Sequence, residues 1–283
     1  MKSPRPSCRS LLLLVCLLAL AFASSGSKAV ASYDDWRPLD PGDLALRAPV
    51  VEKDADAEAI FWEVKVDDAS QDLVFSHYIR IKVFTERGRE SQSKIEIPFG
   101  RIGRLNIKIR DIAARTIKPD GQIIELKNSD VFERTVVKSS GVKIRVKSFA
   151  MPGVEPGAII EYRWREALPG VSAQYTRLQF QRDIPVQRVT YYVKPLSNPY
   201  INFALRYHPF QMDNPRFVKD KNGFYSTQMT NVPAFREESR MPPEDTVRQW
   251  MLLYYTEDRK LTPQRYWPDY GRRIYEAYKP YMK

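Results

Sequence analysis

The sequence predicts an all-β fold: an antiparallel β-sandwich-like domain with a short C-terminal helix. Three observations carry this expectation. Several runs alternate apolar with basic or polar residues, the period-two mark of strands with one buried and one wet face. Clusters of Pro, Gly, Asp and Ser separate the runs at short intervals. Patterns of helical period are missing between them, except near the end of the chain.

The start of the chain reads as an address rather than as part of the fold. Lys2, Arg5 and Arg9 precede the apolar run Leu11 to Ala23, and small-residue sites follow at Ala21-Phe22-Ala23 and Ala29-Val30-Ala31. Basic, apolar and small residues in this order form a secretory signal peptide, with cleavage expected before Ser32. At ~1.5 Å per residue the apolar run reaches about 20 Å, short of the ~30 Å bilayer core. The expected mature chain is therefore exported to the periplasm or beyond, with no stable membrane span. Removing residues 1–31 takes away four basic residues and no acidic one. The net charge falls from +11 to +7. Cys8 and Cys16 leave as well, so disulfides, thiol catalysis and Cys-bound zinc are not expected in the mature chain. A composition that is 43% hydrophobic and 28% charged suits a globular domain with a sizeable core.

Residues 32–58 form an acidic lead-in, with a short helix expected near Pro41 to Ala48. Residues 59–258 hold the β domain. Its strands are expected at Phe61–Val66, Val74–Phe84, Leu105–Arg110, Val131–Lys138, Val142–Phe149, Ala158–Trp164, Tyr175–Arg182, Gln187–Lys194, Phe203–Tyr207, Phe224–Met229 and Val247–Tyr255. Pro119-Asp120-Gly121 closes a hairpin between Thr116 and Ile124, because Pro presets φ and Gly accepts the left-handed position. Ser139-Ser140-Gly141 closes another. In residues 259–283, Thr262-Pro263 offers a helix start, and Trp267, Tyr270, Ile274 and Tyr278 fall on one helical face.

Catalytic signals are sparse. The two histidines, His77 and His208, lie far apart in sequence. No Gly-x-Ser-x-Gly elbow, phosphate-cradling loop or metal-ligand spacing accompanies them. Acid pairs such as Asp67-Asp68 and Glu237-Glu238 read as solvated turns, since adjacency does not hold two carboxyls across a cleft. No cofactor or metal is expected. The charge distribution says more: residues 32–76 carry 4 basic and 12 acidic residues, and residues 77–147 carry 17 and 8. Much of the basic excess alternates along strands, at Arg80, Lys82, Lys108, Arg110, Lys143, Arg145 and Lys147. If those strands are neighbours, one exposed face carries a Lys/Arg field. That field would hold an anionic envelope polymer or receive the acidic lead-in across it; the plainer reading is a solvated face guarded against edge pairing. Nucleic acid is not an expected partner, since export removes it.

Several spaced motifs resemble a family. Glu86-Arg87-Gly88, the run Ala114 to Gly121, Pro156-Gly157-Ala158-Ile159-Ile160-Glu161-Tyr162, and Val232 to Glu238 followed by Met241-Pro242-Pro243 look like bacterial domain-of-unknown-function family 3857. This domain precedes a transglutaminase-like core in exported proteins. The resemblance runs from about Ala57 to Ala277. It implies a β-rich sandwich domain, usually followed by a Cys-His-Asp papain-like module, with Trp267 to Tyr278 as the helix leading toward it. No position matches the nucleophile, so no catalytic residue carries over. Pro119, Asp120 and Gly121 carry over as a turn. Pro233, Glu237, Pro242 and Pro243 carry over as a shared motif, in which the prolines and a buried Ala234/Phe235 pair would fix a rigid path. The function implied is a non-catalytic exported accessory domain of a transglutaminase- or protease-like protein, truncated or stand-alone, whose partner is such a catalytic domain in cis or in trans. The alternative is a binding module for an envelope glycan or other anion, using the basic face.

Overall fold

The computed structural model describes residues 35–70, 72–197, 203–213, 216–257 and 262–282. The expected signal peptide lies outside them. Residues Met1–Pro38 form one unit, of which 35–38 are described, and Leu39–Lys283 form the other.

The second unit opens with a short helix, α1 (Pro41–Ala45), where the sequence places one. Asp40 caps it by accepting a 2.8 Å bond from the Gly42 amide, and Pro41 takes the first turn. Strands β1 (Ala57–Asp67) and β2 (Asp72–Val83) follow, then helix α2 (Glu86–Gln92). Next come β3 (Lys94–Ile102), β4 (Leu105–Asn106), β5 (Lys108–Ile117), β6 (Ile123–Glu125), β7 (Phe132–Ser139) and β8 (Val142–Ala150). The remaining strands are β9 (Ile159–Pro169), β10 (Thr176–Gln179), β11 (Val186–Lys194), β12 (Ala204–Phe210), β13 (Val218–Lys219), β14 (Tyr225–Val232) and β15 (Trp250–Thr256). Helix α3 (Pro263–Tyr278) comes last.

The strands build three sheets. The largest runs β13-β14-β11-β1-β2-β9-β5-β6; a second runs β10-β15-β12 and a third β4-β3-β8-β7. Every pairing is antiparallel except β1 with β11. The two smaller sheets share one apolar core with one face of the large sheet. Trp62, Ile79, Ile160, Tyr162, Val189 and Tyr191 come from the large sheet. Ile97, Phe99 and Phe149 come from the four-stranded sheet, and Met251 and Leu253 from the three-stranded one. The all-β sandwich-like class is what the alternation predicts.

Both expected hairpins form. In the first, the Gly121 amide donates to Lys118 O at 2.9 Å and the Gln122 amide to Asp120 Oδ1 at 2.9 Å. The second joins β7 to β8.

The expected strand Leu105–Arg110 divides. Leu105 and Asn106 pair with β3, the Ile107 amide donates to Gly100 O at 2.7 Å, and from Lys108 the chain pairs with β9. One apolar–basic run therefore crosses from the four-stranded to the eight-stranded sheet. Such a crossing turns a corner of a packed-sheet structure.

Strand β3 and helix α2 have no counterpart among the expected elements. Pro98 makes β3 look unlike a strand, but β4 pairs only with Arg101 and Ile102. The ladder edge at Pro98 is open, so its missing N–H costs no bond. Helix α2 is held by Thr85, whose Oγ1 accepts from the Gly88 amide at 3.1 Å and contacts Asp56 Oδ1 at 2.5 Å. Gly88 itself is required by space, since a Cβ there would lie 2.1 Å from Asp56 O.

Gly88→Ala should therefore destabilise the chain by about 1–3 kcal/mol through overpacking. At the exposed helix position Gly271 an added Cβ meets nothing within 4 Å, so Gly271→Ala should stabilise by roughly 0.5–1 kcal/mol. Urea midpoints of the two variants against the parent check both signs.

Candidate functional site

Arg80 and Lys82 point to the second, polar face of the eight-stranded sheet, and both are buried. Register explains why. On β2, Arg80 lies opposite Glu161 of β9, and Glu161 lies opposite Arg115 of β5. The carboxylate sits between two guanidiniums with 0% exposure. Its Oε1 accepts from Arg80 Nε and from the Tyr78 hydroxyl, each at 2.7 Å. Its Oε2 accepts from Arg115 Nε at 2.5 Å. Arg80 Nη1 also donates to Asp43 of α1 at 2.8 Å. Lys82 Nζ donates to Leu44 O at 2.9 Å and to Gly157 O at 2.7 Å. Burial lowers the Lys82 pKa; the Arg47 charge adds to that and Asp43 opposes it.

The acidic lead-in thus lies across this face as a strap. Glu58, also fully buried, accepts from the amides of Val50 and Val51 and from Gln187 Nε2. Glu52 accepts from the Ala234 amide at 2.7 Å and pairs with Arg236. The shared motif after β14 therefore anchors the strap. Its Ala234 and Phe235 are half-buried rather than buried, with Arg248 lying 4.9 Å from the Phe235 ring centre.

The seven basic residues do not form one exposed field. Lys108 and Arg110 are exposed at the far end of β5, where Arg110 lies opposite Arg165, and Arg165 pairs with Asp111 at 3.0 Å. Lys143, Arg145 and Lys147 belong to β8 in a different sheet. There Arg145 pairs with Glu133 at 2.7 Å and lies 4.4 Å from the Phe99 ring centre. Alternation along a strand tells which residues share a face, but not which sheet the strand joins or what covers it.

The histidines occupy separate aromatic settings. His77 stacks on Trp164 with centroids 4.3 Å apart, and its Nε2 lies 3.8 Å from Glu166. Burial lowers its pKa against the pull of Glu166. It lines a cavity of about 270 Å³ together with Trp62, Phe75 and Arg177, and no Ser, Thr or Cys lines that cavity. His208 meets Phe210 edge-on at 4.8 Å.

A larger groove of about 680 Å³ opens where α3 meets the three-stranded sheet. Tyr266 is buried there. Its ring packs 4.9 Å from that of Tyr254, and its hydroxyl shares a 2.7 Å hydrogen bond with that of Tyr175. Trp267 lies 5.3 Å from Tyr254. Tyr175 holds a left-handed backbone at φ +62°, rare for a bulky residue, and its neighbour Gln174 accepts from the Tyr255 amide at 2.6 Å. Of the predicted helix face, Trp267 and Tyr270 pack on the domain. Ile274 and Tyr278 remain 42% and 61% exposed.

Below the groove, Tyr255 donates to Asp68 Oδ2 at 2.7 Å and accepts from the Leu196 amide at 2.9 Å. The Ala173 amide also reaches Asp68 Oδ2 at 2.9 Å, while Oδ1 has no hydrogen-bond partner among the described residues. Burial raises the Asp68 pKa, although both hydrogen bonds oppose it. The phenols of Tyr175 and Tyr255 are raised by burial and stay protonated at neutral pH. The groove therefore offers aromatic stacking and phenol hydrogen bonds, with Glu257 and Arg273 adding charge to its wall. Among the described residues no cluster of His, Asp or Glu is fit to hold a metal ion, and no helix is long and apolar enough to cross a membrane.

Sequence reasoning missed Glu161, Arg115, Glu58 and Asp68. Glu161 has a signal in hindsight, as a lone acid inside the apolar run Ala158–Tyr162. Asp68 has none, because Asp67-Asp68 looks like any solvated turn.

The family described as a Domain of Unknown Function, DUF3857, matches residues 69–236. No curated protein matches the chain. Among solved structures, the "putative protease" of Parabacteroides distasonis is similar over 70% of this chain and 40% of its own, with a TM-score of 0.54 and 15% identity. The chain thus spans well under half of that protein. Leukotriene A4 hydrolase of Saccharomyces cerevisiae is similar over 71% of this chain and 29% of its own, with a TM-score of 0.32 and 7% identity. The first likeness is one of fold; the second carries no argument.

Two predictions follow from the buried carboxylates. Glu161→Gln leaves Arg80 and Arg115 without their counter-charge and should cost roughly 3–5 kcal/mol, measured by denaturant unfolding. At Asp68 the folded-state pKa lies above the unfolded one, so the folded chain holds the proton more tightly. Its stability contribution is present at low pH and is lost as pH rises through the raised pKa. Asp68→Asn should match the parent below about pH 4, become more stable than it as pH rises toward the raised pKa, and keep a constant margin above that, as thermal melts across a pH series will show.

Proposed function

The chain belongs to the DUF3857 family, and from that membership we propose that it acts as a non-catalytic, exported accessory domain of a transglutaminase- or protease-like protein. The observation that carries this reading is helix α3. Its first half is fixed to the domain through Tyr266 and Trp267. Its second half and the turn beyond present Ile274, Tyr275, Tyr278 and Tyr281, exposed by 42%, 54%, 61% and 82%. A rigidly held helix with an uncovered row of tyrosines is suited to packing against a neighbouring module, since aromatic anchors dominate such interfaces. The catalytic module would sit in cis or in trans.

The chemistry of the described sites points the same way. His77 is held neutral by burial and stacked on Trp164, and the groove phenols are held protonated. Likeness in fold to the Parabacteroides protein, of whose chain 40% is matched, agrees with an accessory role. Export rests on the order of charges, apolar residues and small residues in positions 1–31.

Purified chain should show no turnover of peptide, amide or transglutaminase substrates. Mixed with a Cys-His-Asp module from a family member, it should form a complex in which residues 270–281 gain protection from hydrogen exchange. Tyr278→Ala should weaken that complex by about tenfold. Turnover by the chain alone that His77→Ala abolishes would overturn the reading. N-terminal sequencing of exported chain should begin at Ser32.

A further inference from the structure

The three sheets expose six edge strands among the described residues, and they differ in how much open backbone they offer. β13 and β4 have two residues each, β6 three and β10 four, too short to template a partner strand themselves, although they leave open edge on the strands behind them, as at Pro98 of β3. β12 is half-buried along its seven residues. β7 is the exception: all eight of its residues are exposed, including Phe132 at 65%, Val136 at 49% and Val137 at 40%. An edge of this length is a template for another strand unless something covers it or charges and a bulge blunt it, and β7 carries Arg134, Lys138 and a bulge between Thr135 and Val137.

The charges on β7 indicate what covers it. Across the β7–β8 ladder Lys138 lies directly opposite Lys143, a like-charge pair that weakens a sheet. Neither lysine has an acidic partner among the described residues. Glu133, five residues earlier, is exposed on the same strand and already pairs through Oε1 with Arg145 of β8 at 2.7 Å.

We propose that β7 is a homodimer edge, at which two copies of this chain pair β7 with β7 in antiparallel fashion. The result is one sheet of order β4-β3-β8-β7-β7-β8-β3-β4. A two-fold axis perpendicular to the sheet requires facing residues to lie on the same face. The β7–β8 register meets this condition because of its bulge between Thr135 and Val137. Glu133, Thr135 and Lys138 lie opposite Lys147, Arg145 and Lys143, alternate residues of β8, and so share one face. Phe132, Arg134, Val137 and Ser139 lie opposite Ser148, Val146, Ile144 and Val142, and share the other.

With Thr135 on the axis and Val136 bulged out of the new ladder as it is out of the β7–β8 ladder, Glu133 of each copy faces Lys138 of the other, and this pair occurs twice. Phe132 then faces Ser139, with Val137 on the diagonal, so the exposed apolar groups meet. Moving the axis to Arg134 or Val137 places Thr135 opposite Glu133 or Lys138 and loses both charge pairs. Register is thus selected by charge, and each Lys138–Lys143 repulsion gains a carboxylate that it shares with Arg145.

Cysteine cross-linking tests this directly, because residues 32–283 contain no cysteine. Facing residues of an antiparallel pair have Cα atoms about 4.5–5.5 Å apart, within disulfide reach. With Cys8 and Cys16 replaced by Ser, Thr135→Cys in the purified chain should give a disulfide-linked dimer under mild oxidation, and Ser139→Cys should not. Sedimentation equilibrium of the cysteine-free chain should show a monomer–dimer equilibrium. Lys138→Glu should weaken it about tenfold, and combining it with Glu133→Lys should restore it, with circular dichroism confirming that each variant folds. A chain that stays monomeric, a dimer indifferent to Lys138→Glu, or equal cross-linking at Thr135 and Ser139 would overturn the proposal. So would a monomer that captures an added strand peptide at β7.

Discussion

The Glu161 carboxylate is the interaction on which much of the domain depends. It is fully buried and holds two guanidiniums and a phenol from the two strands that flank its own. A charge in that position is tolerated only when its lone pairs are filled by donors, because desolvation otherwise outweighs attraction. The register of β2, β9 and β5 is therefore tied to one atom group. A slip of one residue on any of these strands would carry Glu161 or an arginine into the apolar core. Arg80 extends the cluster to Asp43, and Lys82 beside it holds Leu44 and Gly157. The same charges that align the sheet thus hold the strap over it.

This arrangement gives the eight-stranded sheet two unlike faces. One is apolar and shared with both smaller sheets. The other is polar, ordered by ion pairs and covered at one end by residues 40–58. The strap ties the start of the domain to its later part, because Glu52 binds the Ala234 amide and Arg236. On the apolar side, Asp68 beneath Tyr255 joins the β1–β2 connection to the wall of the groove. Its Oδ1 has no hydrogen-bond partner among the described residues, whereas both oxygens of Glu161 accept hydrogen bonds.

Strands with a regular pattern were legible, and so were the two tight turns and the aromatic helix. What was not legible has identifiable causes. β3 is hidden by Pro98, which is harmless only because its neighbour β4 stops short of it. α2 is hidden by its length, since seven residues give too little periodicity; its Gly88 reports a contact with Asp56 that no local pattern reveals. Leu105–Arg110 keeps one alternation while its backbone changes sheets at Ile107. The basic residues were legible as alternating positions but not as partners. Arg80 and Lys82 look the same in sequence as Lys143 and Lys147, yet the former are buried with hydrogen-bonded partners and the latter belong to another sheet.

By itself the sequence determined the class of fold, the places where the chain turns, the acidic and basic division of the domain and the absence of a thiol from residues 32–283. Each is a property of neighbours within a few residues, and composition and period report such properties directly. Tertiary structure alone decided that Glu161 collects Arg80 and Arg115, that Asp68 lies under Tyr255, and that the lead-in is a strap rather than a tail. These depend on contacts between residues up to 187 apart in sequence. Pairing energy at that distance is set by which faces meet and what water they exclude, a property of the assembled sheets and not of any one strand.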